Sequence, residues 1–101
     1  MDLKTAVALV TGGSAGIGRA IAQTLAASGA RVAITGRDKS KLTATAQALG
    51  VFPVHADVSK EADVERTYRE VLDKFGDLDI LVNNAGSGVF KNLVDFDLPS
   101  F

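Results

Sequence analysis

Two hydrophobic rhythms alternate along the chain: short unbroken apolar runs, and longer stretches in which apolar residues recur every three or four positions. The run Thr-Ala-Val-Ala-Leu-Val-Thr at 5–11 has only apolar residues between its threonines, the pattern of a strand covered on both faces of a parallel sheet. From Gly16 the period becomes helical, with Ile17, Ile21 and Leu25 on one stripe, Ala22 and Ala26 beside it, and Gly29 placed to close the helix. The alternation then repeats. Residues 31–35 read as a second buried strand, and Asp38 as the cap of a helix carrying Leu42, Ala46 and Leu49 up to Gly50. Residues 51–56 read as a third strand, and Ser59 as the cap of a longer helix with Glu61 and Asp63 in its first turn. That helix carries Val64, Tyr68, Val71, Leu72 and Phe75, with Gly76 as terminator, and residues 78–82 read as a fourth strand.

Three strand–helix units followed by a strand, joined by right-handed crossovers, predict an α/β fold with helices on both faces of a parallel sheet of order 3-2-1-4. Pro53 supports that order, because a residue without an N–H is tolerated at a sheet edge and the order puts strand three outermost. Past Gly88 the pattern weakens: residues 89–94 read as a loop or a helical turn, and Asp97-Leu98-Pro99-Ser100 as a helix entrance.

Composition narrows the field of partners. The chain has 101 residues, enough for one domain, and is 47% hydrophobic and 23% charged, which excludes a disordered polypeptide. A formal net charge of −1 provides no broad basic field, so nucleic acid is not an expected partner; Arg37, Lys39 and Lys41 form the one local concentration of positive charge. Cysteine is absent, which removes disulfides and thiolate metal sites and fits a reducing, cytoplasmic setting. No apolar run reaches the length of a membrane span, so no membrane partner is expected.

The candidate chemistry sits where apolar runs end. Thr11-Gly12-Gly13-Ser14-Ala15-Gly16-Ile17-Gly18 follows the first strand and opens the first helix, an arrangement that brings bare backbone amides against a pyrophosphate. Its spacing, TGxxxGxG through Thr11, Gly12, Gly16 and Gly18, departs from the commoner GxGxxG, though the glycines keep the same duties of turning sharply and admitting close approach. At the end of strand two, where a free ribose 2′-hydroxyl would call for an acid, stand Gly36 and Arg37. A carboxylate would repel a 2′-phosphate, whereas Gly36 leaves room and Arg37 offers a charge-assisted contact, so NADP(H) is expected over NAD(H), with Ser14 able to add a hydroxyl.

Asp57-Val58, at the end of strand three, fits either an adenine subsite, with the carboxylate accepting from an amino group and Val58 covering the ring, or a simple helix start. Asn83-Asn84-Ala85-Gly86 after strand four fits either a turn or a segment that ties neighbouring strands and admits a ribose. His55 lacks any companion at metal-ligand spacing and reads as a partly buried strand residue; no metal site is expected. Tyr68 has Leu72 four positions on and reads as packing.

Together, TGGSAGIG at 11–18, Gly36-Arg37, Asp57-Val58 and NNAG at 83–86 resemble the short-chain dehydrogenase/reductase family of the classical type, over essentially the whole chain. The resemblance implies a Rossmann fold holding the dinucleotide across Gly12, Ser14, Gly16, Ile17, Gly18, Arg37, Asp57, Val58, Asn83, Ala85 and Gly86, with Asn84 as the family's structural asparagine and Arg37 matching its NADP(H)-preferring subgroup. It also implies that the catalytic Asn, Ser and Tyr-x-x-x-Lys lie beyond Phe101, since Tyr68 has no lysine partner. The chain is therefore expected to be the cofactor-binding half of an oxidoreductase that interconverts a carbonyl and an alcohol, and to be inactive by itself. The alternative is a dinucleotide-binding or interaction module without catalysis. Strand Ile80-Leu81-Val82, interior in such a fold, is expected to expose an apolar edge and to drive self-association of this polypeptide.

Overall fold

A computed structural model describes residues 2–84. The elements run β1 (Val7–Val10), α1 (Gly16–Ala27), β2 (Arg31–Gly36), α2 (Lys39–Leu49), β3 (Phe52–His55), α3 (Glu61–Phe75) and β4 (Ile80–Val82), preceded by a short 3-10 turn at Leu3–Thr5. The four strands form one parallel sheet of order β3-β2-β1-β4, the Rossmann-type arrangement that the apolar runs predict. Register is set by Leu9 against Ala33 and Leu81, and by Gly36 against His55. Pro53 falls on β3, which pairs with β2 alone among the described residues.

The period of two along each strand divides the core into two layers. Val7, Leu9 and Ala33 point to one face, where Val54, Val64, Val71 and Leu78 complete a cluster under α3. Ala8, Val10, Val32 and Ile34 point to the other, against Ala22 of α1 and Leu42 and Ala46 of α2. Leu9, Ile34, Leu42 and Val64 are fully buried, each worth about 1.5–3 kcal/mol of transfer free energy.

Four local features differ from the reading of the sequence. Thr5 belongs to the 3-10 turn, because Asp2 accepts from the Lys4 amide at 2.9 Å and coils the chain just before the strand. On α1 the side facing the sheet is Gly18 and Ala22, with Ile21 and Leu25 half-buried, whereas Ile17 is 74% exposed. Small residues let α1 lie close to the sheet, which turns the stripe away from Ile17. On α3, Leu72 is 42% exposed and Thr67 takes a core position, its hydroxyl satisfied by the Asp63 carbonyl at 2.7 Å. Ser59 does not cap α3: the N-cap is Lys60, without a side-chain bond, and the Ser59 hydroxyl turns back to donate to Asp57 at 2.6 Å. By contrast, α2 is capped as expected, Asp38 accepting from the Lys41 amide at 3.1 Å, and Gly50 and Gly76 close α2 and α3.

Candidate functional site

All the motif residues in the described range gather at the C-terminal ends of the strands. A cleft of about 450 Å³ opens there, lined by Gly12 and Ser14 from the β1–α1 loop, Thr35, Gly36 and Arg37 from the end of β2, and Ala56, Asp57, Val58 and Ser59 beyond β3. Crevices in open parallel sheets form at this end of the strands.

The glycine loop is shaped by a close approach. Gly12 takes a left-handed backbone (φ 68°), and its carbonyl lies so near Gly18 that a side-chain carbon there would collide with it. Asn84 joins the same contact, donating from Nδ2 to the Gly12 carbonyl at 3.4 Å, while Thr11 donates from its hydroxyl to Asn83 Oδ1 at 3.3 Å. NNAG thus reaches across from β4 to the glycine loop through both asparagines; Ala85 and Gly86 lie outside the described residues.

Two further residues, not singled out in the sequence, hold this loop. Thr35 Oγ1 accepts from the Gly12 amide at 3.1 Å, and its carbonyl accepts from Gly13 at 3.1 Å. Thr45 on α2 donates to the Ser14 carbonyl at 3.1 Å. Both are buried. The only sequence signal was a hydroxyl at a core position, which in a strand such as β2 is indistinguishable from ordinary β-branched packing.

The start of α1 differs in kind from that of α2. Its N-cap is Ala15, which makes no side-chain capping bond, so the amides of its first turn are left without the partner that Asp38 provides on α2. Their partial positive charge faces the cleft end of the sheet and suits an anion. Ile17, exposed beside these amides, offers an apolar surface at the same place.

At the far rim, Arg37 is exposed and makes no ion pair among the described residues. The neighbouring carboxylate, Asp38, is engaged as the α2 cap, accepting from the Lys41 amide. The Asp57 carboxylate accepts from the Ser59 hydroxyl and amide in the turn that leads into α3, and the residue also lines the cleft. Those bonds, chiefly the hydroxyl, hold the Asp57 carboxyl below the ordinary carboxylate range, with Arg37 and Lys60 adding smaller contributions, so it is an acceptor at neutral pH. Val58 lines the cleft while its side chain joins the core under α3. Tyr68 packs half-buried against that same core. His55 is exposed rather than partly buried, because the edge position of β3 leaves its ring in solvent; Nε2 meets the Arg37 carbonyl at 2.8 Å.

A family model for short chain dehydrogenase matches residues 6–101. The chain belongs to this family. An uncharacterized oxidoreductase of Staphylococcus epidermidis is 38% identical over 101 residues, covering 98% of this chain and 44% of that protein. The 3-hydroxyacyl-CoA dehydrogenase type-2 of Drosophila melanogaster is 42% identical over 97 residues, covering 94% of this chain and 38% of that protein. Among solved structures, a short chain dehydrogenase from Bacillus anthracis superposes with a TM-score of 0.79 at 37% identity, over 83% of this chain and 36% of that one. A 3-ketoacyl-(acyl-carrier-protein) reductase from Brucella melitensis, complexed with NADH, gives a TM-score of 0.73 at 42% identity, over 75% of this chain and 32% of that one. The chain thus spans less than half the length of these relatives. No helix among the described residues is long and apolar enough to cross a membrane.

Proposed function

We propose that this short chain dehydrogenase sequence forms the dinucleotide-binding part of an oxidoreductase, and that its cofactor is NADP(H). The observation that carries the reading is the pairing of an uncapped α1 N-terminus with the Gly12–Gly18–Asn84 contact, Gly12 lining the same cleft as Arg37, which makes no ion pair among the described residues. The first suits the pyrophosphate, and the last suits a phosphate on the adenosine ribose. Ser14 stands beside Gly36, its Oγ 3.2 Å from where a side-chain carbon would sit, and adds a hydroxyl to that corner. Asp57 supplies the acceptor for the adenine amino group, with Val58 against the ring. Ile17 covers the dinucleotide near the pyrophosphate, and Asn83 borders the neighbouring ribose.

When bound, the nicotinamide supplies hydride exchange between a carbonyl and an alcohol. The residues of this chain bind and orient; Tyr68, packed on α3 with Leu72 one turn on, does not provide a tyrosine–lysine pair for proton transfer. The 101-residue polypeptide is proposed to bind cofactor without turning over carbonyl substrates. The reading includes a reducing, cytoplasmic setting, in keeping with a sequence free of cysteine.

Fluorescence titration with NADPH tests this directly. Saturable binding is the expected result; its absence would return the chain to an interaction module that keeps only the fold.

A further inference from the structure

The pairing of β2 with β3 ends one residue too early to hold Arg37. The last paired positions are Gly36 and His55, reinforced by the Ala56 amide donating to the Gly36 carbonyl at 3.1 Å. Arg37 then stands alone between the end of β2 and Asp38, the cap of α2. Its carbonyl would lie beyond the ladder, yet it is met by the ring of His55 at 2.8 Å. A carbonyl only accepts, so Nε2 carries the proton and the imidazole donates. A side chain thereby extends the ladder by one residue, at the position that the specificity of the cleft depends on.

His55 is itself anchored. Its backbone carbonyl accepts from Arg66 at 2.7 Å, and Arg66 is held in turn by Glu70 at 2.6 Å and Asp63 at 3.7 Å. Asp63 also accepts from the Asp57 amide at 2.8 Å. Helix α3 therefore fixes the end of β3, and His55 passes that fixed point on to Arg37.

We infer that His55 is a positioning residue for cofactor selection: without touching the dinucleotide, it holds the Arg37 backbone so that the guanidinium faces the ribose 2′-phosphate. The inference rests on the NADP(H) reading above. Its physical basis is preorganisation, since a guanidinium on an unanchored backbone must be ordered at the moment of binding, which costs affinity only for the ligand that uses it. The imidazole is exposed, so replacing it leaves the core intact.

Calorimetric Kd values for NADPH and NADH, measured on the wild type, Arg37→Ala, His55→Ala and His55→Gln, test the inference. His55→Ala is expected to lower the NADPH preference about twofold to tenfold, the worth of one hydrogen bond, while leaving the Kd for NADH unchanged. His55→Gln, whose amide N–H reaches about as far as Nε2, is expected to restore most of it. If Arg37→Ala abolishes the preference while His55→Ala leaves it untouched, or weakens both cofactors equally, His55 is no positioning residue although the NADP(H) reading stands. If Arg37→Ala itself leaves the ratio unchanged, the NADP(H) reading falls and the inference falls with it.

Discussion

Asn84 and Gly12, seventy-two positions apart, meet at 3.4 Å, the amide of one donating to the carbonyl of the other directly over Gly18. A carbon added at Gly18 would overlap the Gly12 carbonyl and come to 2.7 Å from Asn84 Nδ2. The obstacle on the Gly12 side is backbone and cannot rotate away. Gly18→Ala is therefore expected to cost about 1–3 kcal/mol, read from denaturant unfolding, and to weaken NADPH binding by displacing the loop. An unfolding midpoint equal to the wild type would show that the loop yields without strain.

Ile17 separates stability from binding. Its side chain is 74% exposed, so Ile17→Ser is expected to change unfolding by no more than about 0.5 kcal/mol. Removing an apolar surface next to the α1 amides should nevertheless weaken NADPH about threefold to tenfold, as expected for part of one aliphatic side chain. Paired thermal unfolding and calorimetry check both halves; a large drop in stability would place Ile17 in the core after all.

Much of this architecture was legible because strand existence and order depend on features that survive in one dimension: unbroken apolar runs, a proline at the edge, and Asp38 and Gly50 bracketing α2. The face of α1 was not. Ile17-Ile21-Leu25 and Gly18-Ala22-Leu25 share one period, and what decides between them is how closely the helix approaches the sheet, which small residues permit. The candidate motifs were visible as glycines and acids at strand ends. The residues that support them were hidden for different reasons: Thr35 and Thr45 resemble packing until the glycine loop is in place, Ser59 resembles a cap until Asp57 competes for its hydroxyl, and His55 has no role until the β2–β3 register is known.

Asp57 gives a pH signature. Its folded-state pKa is depressed, so its ionised form favours the fold above the usual carboxylate range, and that contribution is lost as pH falls through the lowered value. Ser59→Ala removes the largest cause of the shift. The variant is expected to raise the Asp57 pKa toward the ordinary range and to start acid unfolding at a higher pH, seen by carboxyl-carbon NMR titration and circular dichroism. An unmoved Asp57 titration would assign the shift to the Ser59 amide, which the variant keeps, and to the charges of Arg37 and Lys60.

Among the described residues β4 pairs with β1 alone, and Ile80, Leu81 and Val82 are all half-buried. An apolar strand edge of this kind recruits another strand. The 101-residue polypeptide is expected to self-associate through it, with the apparent mass in equilibrium sedimentation rising with concentration. A monomer throughout would mean that the edge is covered within the chain.

Arg37, exposed on the rim of the cleft and without an ion pair among the described residues, is proposed to select a 2′-phosphate. The most direct test of this selection is the ratio of NADPH to NADH affinity in the wild type and in Arg37→Ala. The wild type is expected to favour NADPH by about tenfold to a hundredfold, the worth of one charge-assisted contact, and Arg37→Ala to erase most of that margin. Equal or tighter binding of NADH by the wild type, or a ratio indifferent to Arg37, would contradict it.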